Sequence, residues 1–343
     1  MKKRAEPKLA AAPMKTPEID WATFAEAILA GRVLTREEAL RVLQEPDTAL
    51  LELLGAAFRI RRRYHGLKVH IHVLRNAKSG GCPEDCTFCS QSSISSAPIA
   101  RHPLLSREDL VEGALQAYEA RAGTYCIVTA TRGPTWRQLE TIVDAVREIK
   151  ARVPIKICCS LGLLTPEKAR WLKEAGVDRY NHNLETSERF FPQICTTHTY
   201  RDRVRTLEVV KDAGLETCSG GIIGMGESDE DIVDLAFTVR RLDIDSIPIN
   251  FLNPIEGTPL GHCRHLTPMR CLKVLALFRF LNPQKDIRVA GGREVNLRHL
   301  QPLALYAANS LFAGGYLTTG GQAIQDVYQM IEDLGFEIEE VIR

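Results

Sequence analysis

The chain lacks an excess of charge of either sign: 44 Lys and Arg face 43 Asp and Glu, a formal net charge of +1 over 343 residues with nine His counted neutral. Nucleic acid, a partner gripped through a strongly basic surface, is therefore not expected. No apolar run approaches the roughly 18 to 20 residues that span a bilayer, and the start Met1-Lys2-Lys3-Arg4-Ala5-Glu6-Pro7 leads into no apolar signal core. Neither membrane insertion nor secretion is expected, and the reading is a soluble, cytoplasmic protein. Ten Cys fall well short of the ~8–10% of a disulfide scaffold, and a chain this long needs no staples. What is there is ordinary globular composition, 45% hydrophobic and 25% charged, with the length of one large domain or two small ones.

Residues 1–17 mix Lys, Ala and Pro without periodicity and read as a disordered tail. A helical N-terminal extension is expected over 18–65, with Thr35 and Glu38 in capping-box spacing and a second helix from about Thr48 to Tyr64. That helix ends in Arg59, Arg61, Arg62 and Arg63, cations suited to the negative end of a helix dipole and read as a solvated face. Over 66–316 short β-branched or apolar runs alternate with amphipathic stretches. Eight strands are expected, near Val69–Leu74, Tyr125–Ala130, Ile155–Leu161, Arg179–Leu184, Thr217–Ile223, Ser246–Leu252, Ile287–Gly291 and Ser310–Ala313. Thr165-Pro166 and Thr267-Pro268 signal helix starts, and Gly176, Gly214 and Gly335 signal helix ends. Eight such units favour an α/β fold of the (β/α)8 TIM-barrel type, with a C-terminal helical extension over 317–343. An open doubly wound sheet would want G-x-G-x-x-G after its first strand, and none occurs there. In such a barrel the chemistry sits at the C-terminal ends of the strands.

Directly after the first predicted strand, Cys82, Cys86 and Cys89 stand in C-x3-C-x2-C spacing, an odd cluster that suggests metal binding rather than disulfide pairing. Three thiolates in a short loop suit an iron–sulfur cube with one iron open to an exchangeable ligand. The alternatives are a zinc knuckle, although no second Cys pair of the right spacing follows, and three unrelated buried Cys. Downstream, Cys126, Cys158 and Cys218 fall on the second, third and fifth strands and Arg288 on the seventh. Neighbours on a strand alternate faces, so only one of Cys158 and Cys159 points into a barrel. Taken singly, each of these Cys reads as a small core hydrophobe. His70 and His72, at i and i+2, share a face but read as packing rather than as ligands.

The string Gly81-Cys82-Pro83-Glu84-Asp85-Cys86 with Ser90-Gln91-Ser92 resembles the biotin synthase family of radical S-adenosylmethionine (SAM) enzymes. So do Tyr180-Asn181-His182-Asn183-Leu184-Glu185-Thr186-Ser187, Cys218-Ser219-Gly220-Gly221-Ile222-Ile223-Gly224-Met225-Gly226-Glu227 and Arg288-Val289-Ala290-Gly291-Gly292-Arg293-Glu294. The resemblance implies a 4Fe-4S cluster on Cys82, Cys86 and Cys89 whose open iron chelates SAM. One electron then cleaves the sulfonium to methionine and a 5′-deoxyadenosyl radical. It implies SAM contacts from Phe88, Asn183, Glu185, Gly220, Ile222 and Gly224. It further implies an auxiliary 2Fe-2S cluster on Cys126, Cys158, Cys218 and Arg288 that donates sulfur to dethiobiotin. Asn183 and Asn250 match positions facing the ureido ring of that substrate, and Thr318 and Thr319 a segment near its carboxylate. A flavodoxin-type electron donor and a homodimer are implied as well. Cys159, Cys195, Cys263 and Cys271 have no match and read as structural.

Overall fold

Runs such as Ser246–Phe251, in which every residue is buried, form strands because a parallel strand covered by helices has no solvent face to reserve for polar side chains. The computed structural model describes residues 19–339, so the tail expected over 1–17 lies outside the described residues. The strands are β1 (Lys68–Lys78), β2 (Thr124–Thr129), β3 (Lys156–Ser160), β4 (Arg179–Asn181), β5 (Glu216–Cys218), β6 (Gly221–Ile223), β7 (Ser246–Phe251), β8 (Asp286–Val289), β9 (Ser310–Phe312) and β10 (Glu337–Ile338). In parallel pairing β1 to β5 continue into β7, β8 and β9, and β9 pairs back onto β1, which closes an eight-stranded barrel. The expected (β/α)8 class is the observed one.

Three helices, α1 (Trp21–Leu29), α2 (Arg36–Gln44) and α3 (Leu50–His65), precede the barrel. Each later strand station is followed or preceded by a helix: α4 (Arg107–Glu119), α5 (Trp136–Arg152), α6 (Pro166–Ala175), α7 (Tyr200–Asp212), α8 (Asp229–Arg241), α9 (Pro268–Leu281), α10 (Arg293–Leu297) and α11 (Ile324–Asp333). Local chemistry fixes where they begin. The Thr35–Glu38 capping box forms, and four more form at Ser106–Asp109, Thr135–Gln138, Thr199–Asp202 and Ser228–Asp231, each satisfying orphan N–H groups of a first turn. Gly176, Gly214 and Gly335 follow helix ends in the left-handed region, as their positions suggested.

Three departures from expectation have physical causes. The fifth expected run splits into β5 and β6, because the backbone at Gly220 passes so close to β7 that a Cβ there would lie 1.9 Å from the Pro248 carbonyl oxygen. β10 was not expected: it is two residues long and forms only by pairing with the start of β1, Lys68 with Glu337 and Val69 with Ile338. Arg61 does not belong to a solvated face. It is buried, lies over the Phe336 ring at 4.4 Å, and donates to the carbonyls of Ala308 (3.2 Å), Lys68 (2.8 Å) and Gly66. The two strand histidines have separate partners: His70 pairs with Glu339, while buried His72 packs edge-on to Phe312 at 5.8 Å. Among the described residues no helix is long and apolar enough to cross a membrane.

Candidate functional site

The loop after β1 turns on Gly80 and Gly81, both at positive φ (73° and 66°), and is folded back by Gln91. The Gln91 side-chain oxygen accepts from the Gly80 N–H at 3.0 Å, and its backbone carbonyl accepts from the Cys82 N–H at 3.3 Å. Asp85 ties the loop to the segment before α7, accepting from the N–H groups of Thr196 (2.9 Å) and Thr197 (3.2 Å). So held, Cys82, Cys86 and Cys89 all line one cavity of about 290 Å³, and none is in a disulfide. Cys195, read from sequence as structural, lies with its Sγ 3.8 Å from that of Cys86 and 3.3 Å from His198 Nδ1. His198 in turn meets Glu84 at 2.5 Å. The bond shared with Cys195, then burial, pushes the Cys86 thiol up; burial raises Cys82, and Cys89 to about 11. Thiols of this kind are protonated at neutral pH unless a metal centre displaces the proton, so three of them convergent on one space fit an iron–sulfur group.

The cavity's other wall is the inside of the barrel. Cys126 on β2 and Cys158 on β3 are register partners, and both line the cavity with Arg288. Cys159 points the other way, into the core beneath the helices. Cys218 is sealed just behind the surface. Its Sγ accepts from Asn181 Nδ2 at 3.2 Å and from Arg288 Nη1 at 3.8 Å. Arg288 is 1% exposed, with Nη2 donating to Ser246 Oγ at 2.6 Å and its Nε unpartnered. Burial works against its positive charge, but neighbouring Cys218 and Asp286 outweigh that and raise its pKa. Three soft sulfur donors beside a cation with an unspent donor fit a second, negatively charged sulfur-bridged group.

Of the residues matched to SAM or substrate positions, Phe88, Asn183, Glu185, Ile222, Asn250, Thr318 and Thr319 line the same cavity. Gly220 and Gly224 do not. Gly220 is the close approach to β7 already described, and Gly224, at φ 102°, shapes a turn fastened by Glu227, whose carboxylate accepts from the N–H groups of Gly224 and Met225, both at 2.7 Å. Asn250 is committed at both ends of its amide: Nδ2 donates to the Gly221 carbonyl at 3.1 Å and Oδ1 accepts from the Gly291 N–H at 2.9 Å. One hydrogen and one lone pair are left for a ligand. Glu185 holds positive φ (70°); burial raises its pKa, and Oε2 has no partner. Thr318 Oγ1 meets Ser90 Oγ at 2.8 Å, so the 316–319 turn leans on the cysteine loop. Sequence reasoning missed Arg203, which lines the cavity from α7 and donates to the Asn183 carbonyl at 2.7 Å, and Tyr316, half-buried and also lining it. Arg203 was recoverable only as an inward position in the period of α7.

The chain matches two protein families, the radical SAM superfamily over residues 76–239 and the biotin and thiamin synthesis associated domain over residues 248–337. Its relatives include the biotin synthase of Geobacillus kaustophilus, 58% identical over 320 residues that cover 93% of this chain and 96% of that one. The biotin synthase of Bacillus subtilis strain 168 is 55% identical over 321 residues, covering 94% and 96%. Among solved structures, methylornithine synthase (PylB) superposes with a TM-score of 0.82 at 20% identity, over 93% of this chain and 98% of that one. The hydrogenase maturase HydG from Carboxydothermus hydrogenoformans gives 0.78 at 16% identity, over 92% and 78%. These two speak to the fold alone.

Proposed function

The chain belongs to the biotin synthase family of radical SAM enzymes, and from that premise we propose how its own residues divide the work of turning dethiobiotin into biotin. The enzyme is a sulfurtransferase that uses SAM and an iron–sulfur cluster. In our reading Cys82, Cys86 and Cys89 hold the 4Fe-4S cluster, while Cys126, Cys158, Cys218 and Arg288 hold a 2Fe-2S cluster. When bound, these groups supply the electron that cleaves the SAM sulfonium and the sulfur that enters the product.

The observation that carries this reading is that the cysteine loop and the Cys126–Cys158–Arg288 wall open onto one cavity. A substrate between them would face SAM on one side and a sulfur source on the other. Phe88 offers its backbone to the adenine, and Asn183 and Glu185 offer polar atoms to the ribose. Arg203 holds that pair in place through the Asn183 carbonyl and through Glu185 at 3.5 Å. The remaining donor and acceptor of Asn250 suit a ureido ring, and Thr318 and Thr319 offer hydroxyls near a substrate carboxylate. A flavodoxin-type donor supplies the electron and the working form is a homodimer, to be read from reduction kinetics and solution mass.

The test uses anaerobically reconstituted, dithionite-reduced protein given SAM with and without dethiobiotin, with 5′-deoxyadenosine and biotin followed by mass spectrometry. Cys82→Ala is expected to abolish both products. Cys126→Ala is expected to keep reductive SAM cleavage and lose biotin together with the auxiliary cluster. SAM cleavage by Cys82→Ala would sink the first assignment, and biotin formation by Cys126→Ala the second.

A further inference from the structure

Behind the Cys126–Cys158–Arg288 wall lies a polar network that none of the roles above uses. At its centre is Asp286, which opens β8 two residues before Arg288, its side chain 15% exposed. Its Oδ2 accepts from Ser246 Oγ on β7 at 2.7 Å, from Arg179 Nη1 on β4 at 3.2 Å and from Arg288 Nη2 at 3.3 Å. Its Oδ1 accepts from Ser310 Oγ on β9 at 2.6 Å and from Asn309 Nδ2 at 3.0 Å. Arg179 turns its other edge to Glu216 on β5, at 2.8 Å. Two guanidinium groups are thus matched by two carboxylates, and Asp286 is the carboxylate they share.

The geometry constrains Arg288 in a particular way. A guanidinium is a rigid planar fork, so fixing one nitrogen leaves the opposite edge aimed in a single direction. Nη2 is fixed, by Ser246 and Asp286 together, and Ser246 is itself oriented by donating to Asp286. Nη1 is left facing Cys218 Sγ at 3.8 Å, and Nε has no partner. The Phe312 ring, 5.2 Å from the guanidinium carbon, blocks one face. Remove the negative charge, and Arg179 and Arg288 repel across the gap that Asp286 fills, while one of the two accepting oxygens gives way to an amide donor.

We propose that Asp286 is the positioning residue for Arg288 at the auxiliary cluster, holding the guanidinium edge-on so that its free side stays turned to Cys218 and the cavity. The inference rests on the reading of Arg288 as a cluster ligand. Asp286 touches neither substrate nor cluster; it acts through Arg288.

The experiment compares wild-type chain with Asp286→Asn, which keeps the shape, and Asp286→Glu, which keeps the charge. Each is reconstituted anaerobically, its two clusters are counted separately by Mössbauer spectroscopy, and loss of each to a chelator is timed. Asp286→Asn is expected to keep the 4Fe-4S cluster and reductive SAM cleavage at the wild-type level. It is expected to lose the auxiliary cluster roughly 10- to 100-fold faster, the range for groups that orient a metal ligand. Asp286→Glu is expected to recover part of that retention. Wild-type retention in Asp286→Asn, or parallel loss of both clusters as a merely structural role would give, overturns the inference. A wild-type chain that takes up no auxiliary cluster overturns the ligand assignment and this inference with it; unchanged retention in Asp286→Asn beside a two-cluster wild type overturns this inference alone.

Discussion

At Gly220 the chain leaves β5 for β6 along a path with no room for a side chain, since the nearest atoms to a Cβ belong to the backbone of Pro248 and cannot swing aside. Gly220→Ala is therefore expected to destabilise the fold by about 1–3 kcal/mol or more, read as a lower urea midpoint at unchanged slope. Such a residue is legible in sequence as a glycine in a Gly-rich string, but not its purpose. The string resembles one that approaches SAM, and within the fold Gly220 makes room for a neighbouring strand and Gly224 for a turn. The cysteines were legible for the opposite reason: spacing in the loop and alternation on β3 decide which sulfurs can converge, and Cys158 and Cys159 part as the period-two rule requires. Asp286 carried no such signal, because an ion pair across strands has no fixed spacing along the chain, and Arg203 carried only its inward place in the period of α7.

Helix α3 shows how an element is fastened to the barrel by more than its apolar face. At its C-terminal end His65 Nε2 accepts from Arg279 Nη1 on α9 at 3.1 Å, which requires a neutral imidazole. Burial first, and then the adjacent Arg279 cation, lower the His65 pKa from 6.5 to about 3. Unfolded His65 takes up its proton near the ordinary value, and the folded form does so only near 3, so between these limits the unfolded state binds more protons. Stability from this contact is complete above the ordinary value and drains away as pH falls toward 3, by an amount on the order of a few kcal/mol. The thermal midpoints of wild type and His65→Gln, compared from pH 8 down to pH 4.5, should converge as pH falls; parallel curves would refute the assignment. Helix starts such as Thr35–Glu38 were readable because a cap is a local motif. The burial of Arg61 was not, because its acceptors come from residues 66, 68 and 308.

At the scale of the whole molecule the barrel builds its interior from facing thiols and charges where a filled barrel would have packed apolar layers. Groups that bind only this folded arrangement stabilise it by mass action. The reconstituted protein is therefore expected to melt higher than protein stripped with a chelator under anaerobic conditions, and Cys82→Ala and Cys126→Ala are each expected to lose part of that difference. Equal midpoints with and without iron would contradict a resident cluster. The eightfold alternation that encoded the barrel was legible throughout because every unit repeats it. The register of the closing pair, His70 with Ser310 through His72 with Phe312, was not, since it joins strands far apart in sequence.

That closure has a consequence in time. β1 carries the cysteine loop, yet its second neighbour is β9, at residues 310–312, and the two-residue β10 joins it only at 337–338. On a ribosome the thiols at 82, 86 and 89 emerge long before the chain that shuts the barrel over them. Until residues 310–312 have been made, β1 lacks its second neighbour and the loop that carries these thiols follows an unpaired strand edge.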